Sequence, residues 1–63
     1  MKKGENIVVI VDRDIKGAEV IEVRPDGMVV TSIKTYYGDN AEFPRNSVFT
    51  ASEWEKVKGE FYV

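Results

Sequence analysis

The stretch KGAEVIEVRPDGMVV, residues 16–30, decides the reading of the fold. Residues 18–24 (AEVIEVR) place Ile21 and Val23 on one face of an extended strand and Val20 on the other. Pro25-Asp26-Gly27 then interrupts the run. Proline suits the second position of a type I turn, and glycine its fourth position or a bulge just after it. The following run, MVVTSIKTYY (28–37), is rich in Val, Thr, Ile and Tyr, residues that fit a pleated, half-buried surface. Together the two runs predict a hairpin over 18–37.

Working outward from that hairpin, NIVVIVD (6–12) is a β-branched run too short for a helix. Its apolar residues fall on both parities, which predicts a strand buried on both faces or one that changes face at a bend. RDIKG (13–17) reads as a polar loop ending in glycine. On the C-terminal side, GDN (38–40) reads as a second turn, and AEF (41–43) as a short strand ended by Pro44, which cannot donate to a ladder. SVFT (47–50) is another short strand.

The period then changes, and a short helix is expected at about 51–58. Thr50 with Glu53 fits a capping box, and Ser52 with Glu55 fits a second one. Gly59 suits the left-handed position after the helix. Trp54 and Val57 share a face at a spacing of three. EFYV (60–63) reads as a last strand or as a tail packed by Phe61. The fold class expected is mainly β: a small five-stranded barrel with a short C-terminal helix, a single domain over 1–63. Closure of the barrel would remove exposed edges.

Composition narrows the function. A chain of 63 residues buries only about 60% of its unfolded surface, so packing must be used fully. It contains no Cys and no His, which removes the usual zinc ligands, iron–sulfur clusters and Cys or His nucleophiles. Nine Lys and Arg stand against eleven Asp and Glu, and the signs are mixed in both halves. Nucleic-acid modules led by electrostatics are strongly basic, so this balance argues against that class. The apolar run Ile7–Val11 stops at Asp12, shorter than the roughly 7–15 residues of a signal-peptide core. It is far shorter than the ~20 residues of a membrane span. A soluble, cytoplasmic protein without a membrane association is expected.

No constellation in the sequence carries chemistry. Asp12-x-Asp14-x-Lys16-Gly17 partly matches the start of a calcium loop, but Lys16 and Val23 stand where ligands are required. Asp12/Asp14, Glu19/Glu22 and Glu53/Glu55 are paired carboxylates with no nucleophile or phosphate cradle beside them. No catalytic residue, metal site or cofactor is expected, and the chain is not expected to be an enzyme.

Two short motifs carry a resemblance. Lys16-Gly17 with its following strand resembles the Lys-Gly turn of KOW-type modules. Phe43-Pro44-Arg45-Asn46-Ser47-Val48 resembles the Phe-Pro-x-Asn-x-Val element near the C-terminus of SH3 domains, with Ser47 in place of the family's groove tyrosine. Both are SH3-like barrels. The resemblance implies that fold over residues 6–50, with Pro44 and Asn46 on the family's Pro and Asn and a short 3₁₀ turn between the last strands.

The candidate binding residues are Lys34, Tyr36, Pro44, Arg45, Asn46 and Trp54. Adjacent tyrosines on a strand point to opposite sides, and the in-phase set Val29, Thr31, Ile33 carries Tyr37 inward. Tyr36 is therefore the outward residue, beside Lys34. Arg45 is exposed on the proline turn. Trp54 either lays the helix over the open end of the barrel, with Val57 and Phe61, or anchors an interface. The favoured function is a small protein-interaction adaptor, inhibitor or assembly subunit, a role that suits a phage or mobile-element accessory protein. Self-association through Ile7–Val11 or EFYV is a variant of that reading. The alternative is a nucleic-acid-binding barrel that stacks bases on Tyr36 with help from Lys34 and Arg45.

Overall fold

In a computed structural model of the chain, which describes residues 1–61 and of Phe61 the backbone alone, the β-branched runs form five antiparallel strands. They are β1 (Asn6–Val11), β2 (Asp14–Val23), β3 (Met28–Lys34), β4 (Asn40–Pro44) and β5 (Val48–Thr50), followed by the helix α1 (Ala51–Phe61). The sheet order is β4-β3-β2-β1-β5, and the sheet curls into a half-barrel. No ladder joins β4 to β5 among the described residues, so the sheet keeps two edges where full closure was expected.

The core lies on the concave side. Ile7, Val9, Val20, Val29 and Val48 are buried there, with Val11, Ala18, Ile33 and Phe43 packed against them. The in-phase set of β3 therefore faces inward as its spacing predicts. In β1, Ile7 and Val9 fill the core, while Val8 and Ile10 on the other parity are half-buried. Val8 pairs with Phe49 of β5, and the ring of Phe49 meets Trp54 of α1. Apolar residues on both parities of β1 thus serve two covered faces. β1 is paired with β2 along its whole length and with β5 over Ile7–Val9, so most of this run lies inside the sheet rather than at its edge.

Two register shifts bend the sheet. Ile21 is the extra residue between the pairs Val20/Thr31 and Glu22/Val30, which reverses the alternation of β2 beyond Val20. The second shift lies between Val30 and Lys34, against β4. There the fully buried Thr31 takes over ladder bonds. Its hydroxyl donates to Ala41 O at 2.9 Å and accepts from Ile33 N at 3.3 Å, so no buried polar side-chain atom is left unpaired among the described residues.

The Pro25-Asp26-Gly27 turn forms as its sequence predicts. Gly27 N donates to Arg24 O, Arg24 N to Met28 O, and Gly27 sits at φ +93°. Arg24 beside it reaches across β3 to Glu42 at 2.6 Å and lies 3.4 Å from Asp26. The hydrogen bond to Glu42, and then the charge of Asp26, raise its already high pKa.

The first hairpin differs from expectation. RDIKG is not a loop. Asp12 and Arg13 alone make the turn, at φ 49° and 70°, and β2 begins at Asp14. Lys16-Gly17, read as a KOW-like turn, lies inside β2 opposite Val9 and Val8. A two-residue turn with both residues left-handed matches strand twist, and the strand pairing tolerates non-glycine residues there at a cost.

At the other end, Arg45–Ser47 forms the expected 3₁₀ turn between β4 and β5, entered from extended Pro44. Thr50 caps α1. Glu53 N donates to the Thr50 hydroxyl at 3.2 Å and Thr50 N to the Glu53 carboxylate at 2.9 Å, the reciprocal pair of a capping box. The helix does not stop at Gly59. It runs through to Phe61 with Gly59 in its interior, so residues 60 and 61 are helical rather than a strand. The rest of EFYV, and the packing of the Phe61 side chain, lie outside the described residues.

Candidate functional site

The candidate residues fall in two places. Lys34 and Tyr36 stand at one end of β3, where Lys34 pairs with Asn40. Pro44, Arg45 and Asn46 stand at its other end, where Pro44 pairs with Met28. Six residues of extended chain separate the two ends, roughly 20 Å. The structure therefore does not gather Lys34, Tyr36 and Arg45 into one surface.

At the first place, the strand ends earlier than its sequence predicts. β3 stops at Lys34, and Thr35-Tyr36-Tyr37-Gly38 is a turn. Its bonds repeat those of the Pro25 turn. Gly38 N donates to Thr35 O, Thr35 N to Asp39 O, and Gly38 sits at φ +87°. The Thr35 hydroxyl also accepts from Tyr37 N and Asp39 N, both at 3.3 Å. Both tyrosines occupy the corners of this turn and both leave the protein. Tyr36 is 96% exposed and Tyr37 is 85% exposed. The outward placement of Tyr36 holds, and the inward placement of Tyr37 is overturned, because the strand alternation it relied on ends before Thr35. The two rings meet edge to face, 5.3 Å between centroids at 89°. Lys34 Nζ donates to Asn40 Oδ1 at 2.7 Å, beside the tip.

At the second place, the 3₁₀ turn, β5 and α1 enclose an open groove of about 290 Å³. Val48, Phe49 and Val57 line its apolar part, and Arg45, Asn46, Glu53 and Lys56 supply its polar groups. Arg45 is exposed but committed. Its guanidinium donates to Val48 O at 2.8 Å and to both Glu53 oxygens at 3.0 and 3.1 Å. The N–H of Thr50 and then the Arg45 guanidinium hold the Glu53 carboxyl below its ordinary value. The wall between turn and helix is thereby fixed. Trp54 on α1 is half-buried, with its ring 6.0 Å from that of Phe49.

Sequence reasoning missed Tyr37 and the groove residues Phe49, Glu53, Lys56 and Val57. A signal for Tyr37 was present. Gly38 follows Thr35 at the interval by which Gly27 follows Arg24, and a glycine at that place marks a type I turn closed by a left-handed residue. The groove had a weaker signal. A three-residue strand running directly into a capped helix sets Phe49 and Val57 on adjoining elements, and both line the groove.

No described helix is long and apolar enough to cross a membrane. No group of three or more acidic side chains able to hold a metal occurs among the described residues. No family model, curated protein or solved structure matches the chain.

Proposed function

We propose that the chain is a small, non-enzymatic protein-interaction module, an SH3-like barrel scaffold whose β3–β4 hairpin tip anchors a partner protein. The observation that carries this reading is the exposed pair Tyr36 and Tyr37. A domain this small needs its apolar side chains for its own core. Two of its largest rings stand in water instead, on a turn fastened by four hydrogen bonds. Tyrosine suits such a role. It offers a large amphipathic contact with only two side-chain torsions to immobilise, and it is enriched at interface hot spots.

The SH3-like assignment is supported by the sheet order and by the 3₁₀ turn Arg45–Ser47 at the place the Phe43–Val48 motif implies. The absence of His and Cys supports the non-enzymatic reading. Protein binding is preferred to nucleic-acid binding because Arg45 stands at the far end of β3 and its charge is taken by Glu53.

The test immobilises the protein in a lysate of its source organism, with and without nuclease, beside a Tyr36→Ser/Tyr37→Ser double variant. The expected result is a protein retained through nuclease treatment and lost with the double variant. Retention abolished by nuclease would replace this reading with nucleic-acid binding. Equal retention by the double variant would move the contact away from the tip.

A further inference from the structure

The groove between the 3₁₀ turn and α1 has a feature the hairpin tip lacks, an apolar floor with unspent polar groups on its rim. Phe49 and Val57 form the open part of the floor, over the buried Val48. Of the four polar residues around it, Arg45 and Glu53 satisfy one another. Asn46 and Lys56 have side chains with no hydrogen bond or ion pair among the described residues. Of the three charged groups on the rim, the Lys56 ammonium is therefore the one outside an ion pair among the described residues, and the Asn46 amide stands with it. The volume, about 290 Å³, lies at the lower end of the roughly 300–1,000 Å³ typical of ligand pockets, so it fits one or two side chains rather than a cofactor.

We infer that this groove is a second peptide-binding site, and that its occupant is a segment presenting an aliphatic side chain followed by a carboxylate, an aliphatic–Asp or aliphatic–Glu pair. The aliphatic group lies on Phe49 and Val57. The carboxylate takes the Lys56 ammonium, and Asn46 donates to the same oxygen or to the peptide carbonyl. Glu53 does not repel this carboxylate strongly, because its own charge is held by Arg45 and by the backbone N–H of Thr50. The site is independent of the tyrosine tip. With roughly 20 Å of β3 between them, both can be filled together.

The test titrates isotope-labelled protein with the capped pentapeptide Gly-Ala-Leu-Asp-Gly and with its Leu-Asn counterpart, following backbone amide signals. The expected result is saturable shifts at Arg45–Ser47, Phe49 and residues 53–57 with the Asp peptide. The Asn peptide, or Lys56→Gln, should bind about fivefold more weakly, as expected for one solvent-exposed charge pair. Lys56→Glu should abolish binding while leaving the spectrum elsewhere unchanged, since Lys56 is exposed. Raising the salt concentration should weaken the Asp peptide selectively. Absence of groove shifts at millimolar peptide, equal binding of the two peptides, or indifference to Lys56→Glu would overturn the inference. The Tyr36→Ser/Tyr37→Ser variant should bind the peptide as the parent does, so the two sites fail or succeed separately.

Discussion

Arg45 grips Glu53 by both carboxylate oxygens, at 3.0 and 3.1 Å, and by this fastens the 3₁₀ turn to the first turn of α1. The same carboxylate accepts from Thr50 N at 2.9 Å. One side chain thus joins β5, the turn and the helix, and both interactions favour its ionised form. Folding therefore lowers the Glu53 pKa from its ordinary 4.5. A carboxyl whose pKa falls on folding stabilises the fold above its unfolded value, and that contribution is lost as pH falls through the folded value. The stability attached to Glu53 should be complete near neutral pH and decline below pH 4.5. Thermal melts should place Glu53→Gln below the parent at about pH 7, with the gap narrowing as the pH is lowered below 4.5. A gap that stays constant with pH would show that the carboxylate charge is not what fastens the helix.

Glycine positions separate backbone strain from packing. A Cβ built on Gly27, Gly38, Gly17 or Gly59 meets nothing within 4 Å, so substitution there reads out conformation alone. Gly27 and Gly38 are left-handed, at φ +93° and +87°. Alanine at either should cost about 1 kcal/mol. Gly17 and Gly59 are not left-handed. Gly59→Ala should stabilise α1 by roughly 0.5–1 kcal/mol. Arg13, at φ 70° in the β1–β2 turn, is the converse case, and Arg13→Gly should gain about 1 kcal/mol. Urea midpoints measure all of these signs. Destabilisation by Gly59→Ala would mean that the helix does end at residue 59, as its sequence suggests.

The glycines also show how much of this fold was legible in the sequence. The Pro25 turn, the Thr50 cap and the core phase Val29-Thr31-Ile33 could be read because each is local. A proline fixes φ, a Thr-x-x-Glu pair closes on itself, and alternation belongs to one strand. Gly17 and Gly59 were misread as breakers because glycine permits a turn without requiring one. Tyr36 and Tyr37 were misread as strand because tyrosine has high β propensity, and the bonds that make their turn come from Thr35, Gly38 and Asp39. The groove was hardest to see, since it depends on Arg45 and Glu53 meeting across two elements.

Trp54 tests whether α1 is part of the core or a cover on its outside. A buried tryptophan cut to alanine costs about 3–5 kcal/mol. Trp54 is only half-buried, against Phe49, whereas Ile7 is 3% exposed in the centre of the concave face. Ile7→Ala should therefore cost about 2–5 kcal/mol, and Trp54→Ala about 2 kcal/mol or less. Chemical denaturation of the two variants gives the order. If Trp54→Ala unfolds the chain and Ile7→Ala does not, the Phe49–Trp54 contact is the true centre of the fold and the valines of the half-barrel are secondary to it.

Tyr36 and Tyr37 make the opposite prediction, because their rings touch each other and water. At 96% and 85% exposure neither ring covers the core. The contact between them, 5.3 Å between centroids, joins residues already adjacent in the chain, so it adds little to closing the turn. The turn is held instead by backbone groups, by the Thr35 hydroxyl and by Gly38, none of which the tyrosine side chains supply. Tyr36→Ser and Tyr37→Ser should each change stability by no more than about 0.5 kcal/mol. Thr35→Ala, which removes the hydroxyl that accepts from Tyr37 N and Asp39 N, should cost more, about 1 kcal/mol. The pair of results separates holding the tip from being the tip. If the serine variants prove as costly as Thr35→Ala, the rings are structural in this turn, and the reason for placing two tyrosines in water disappears.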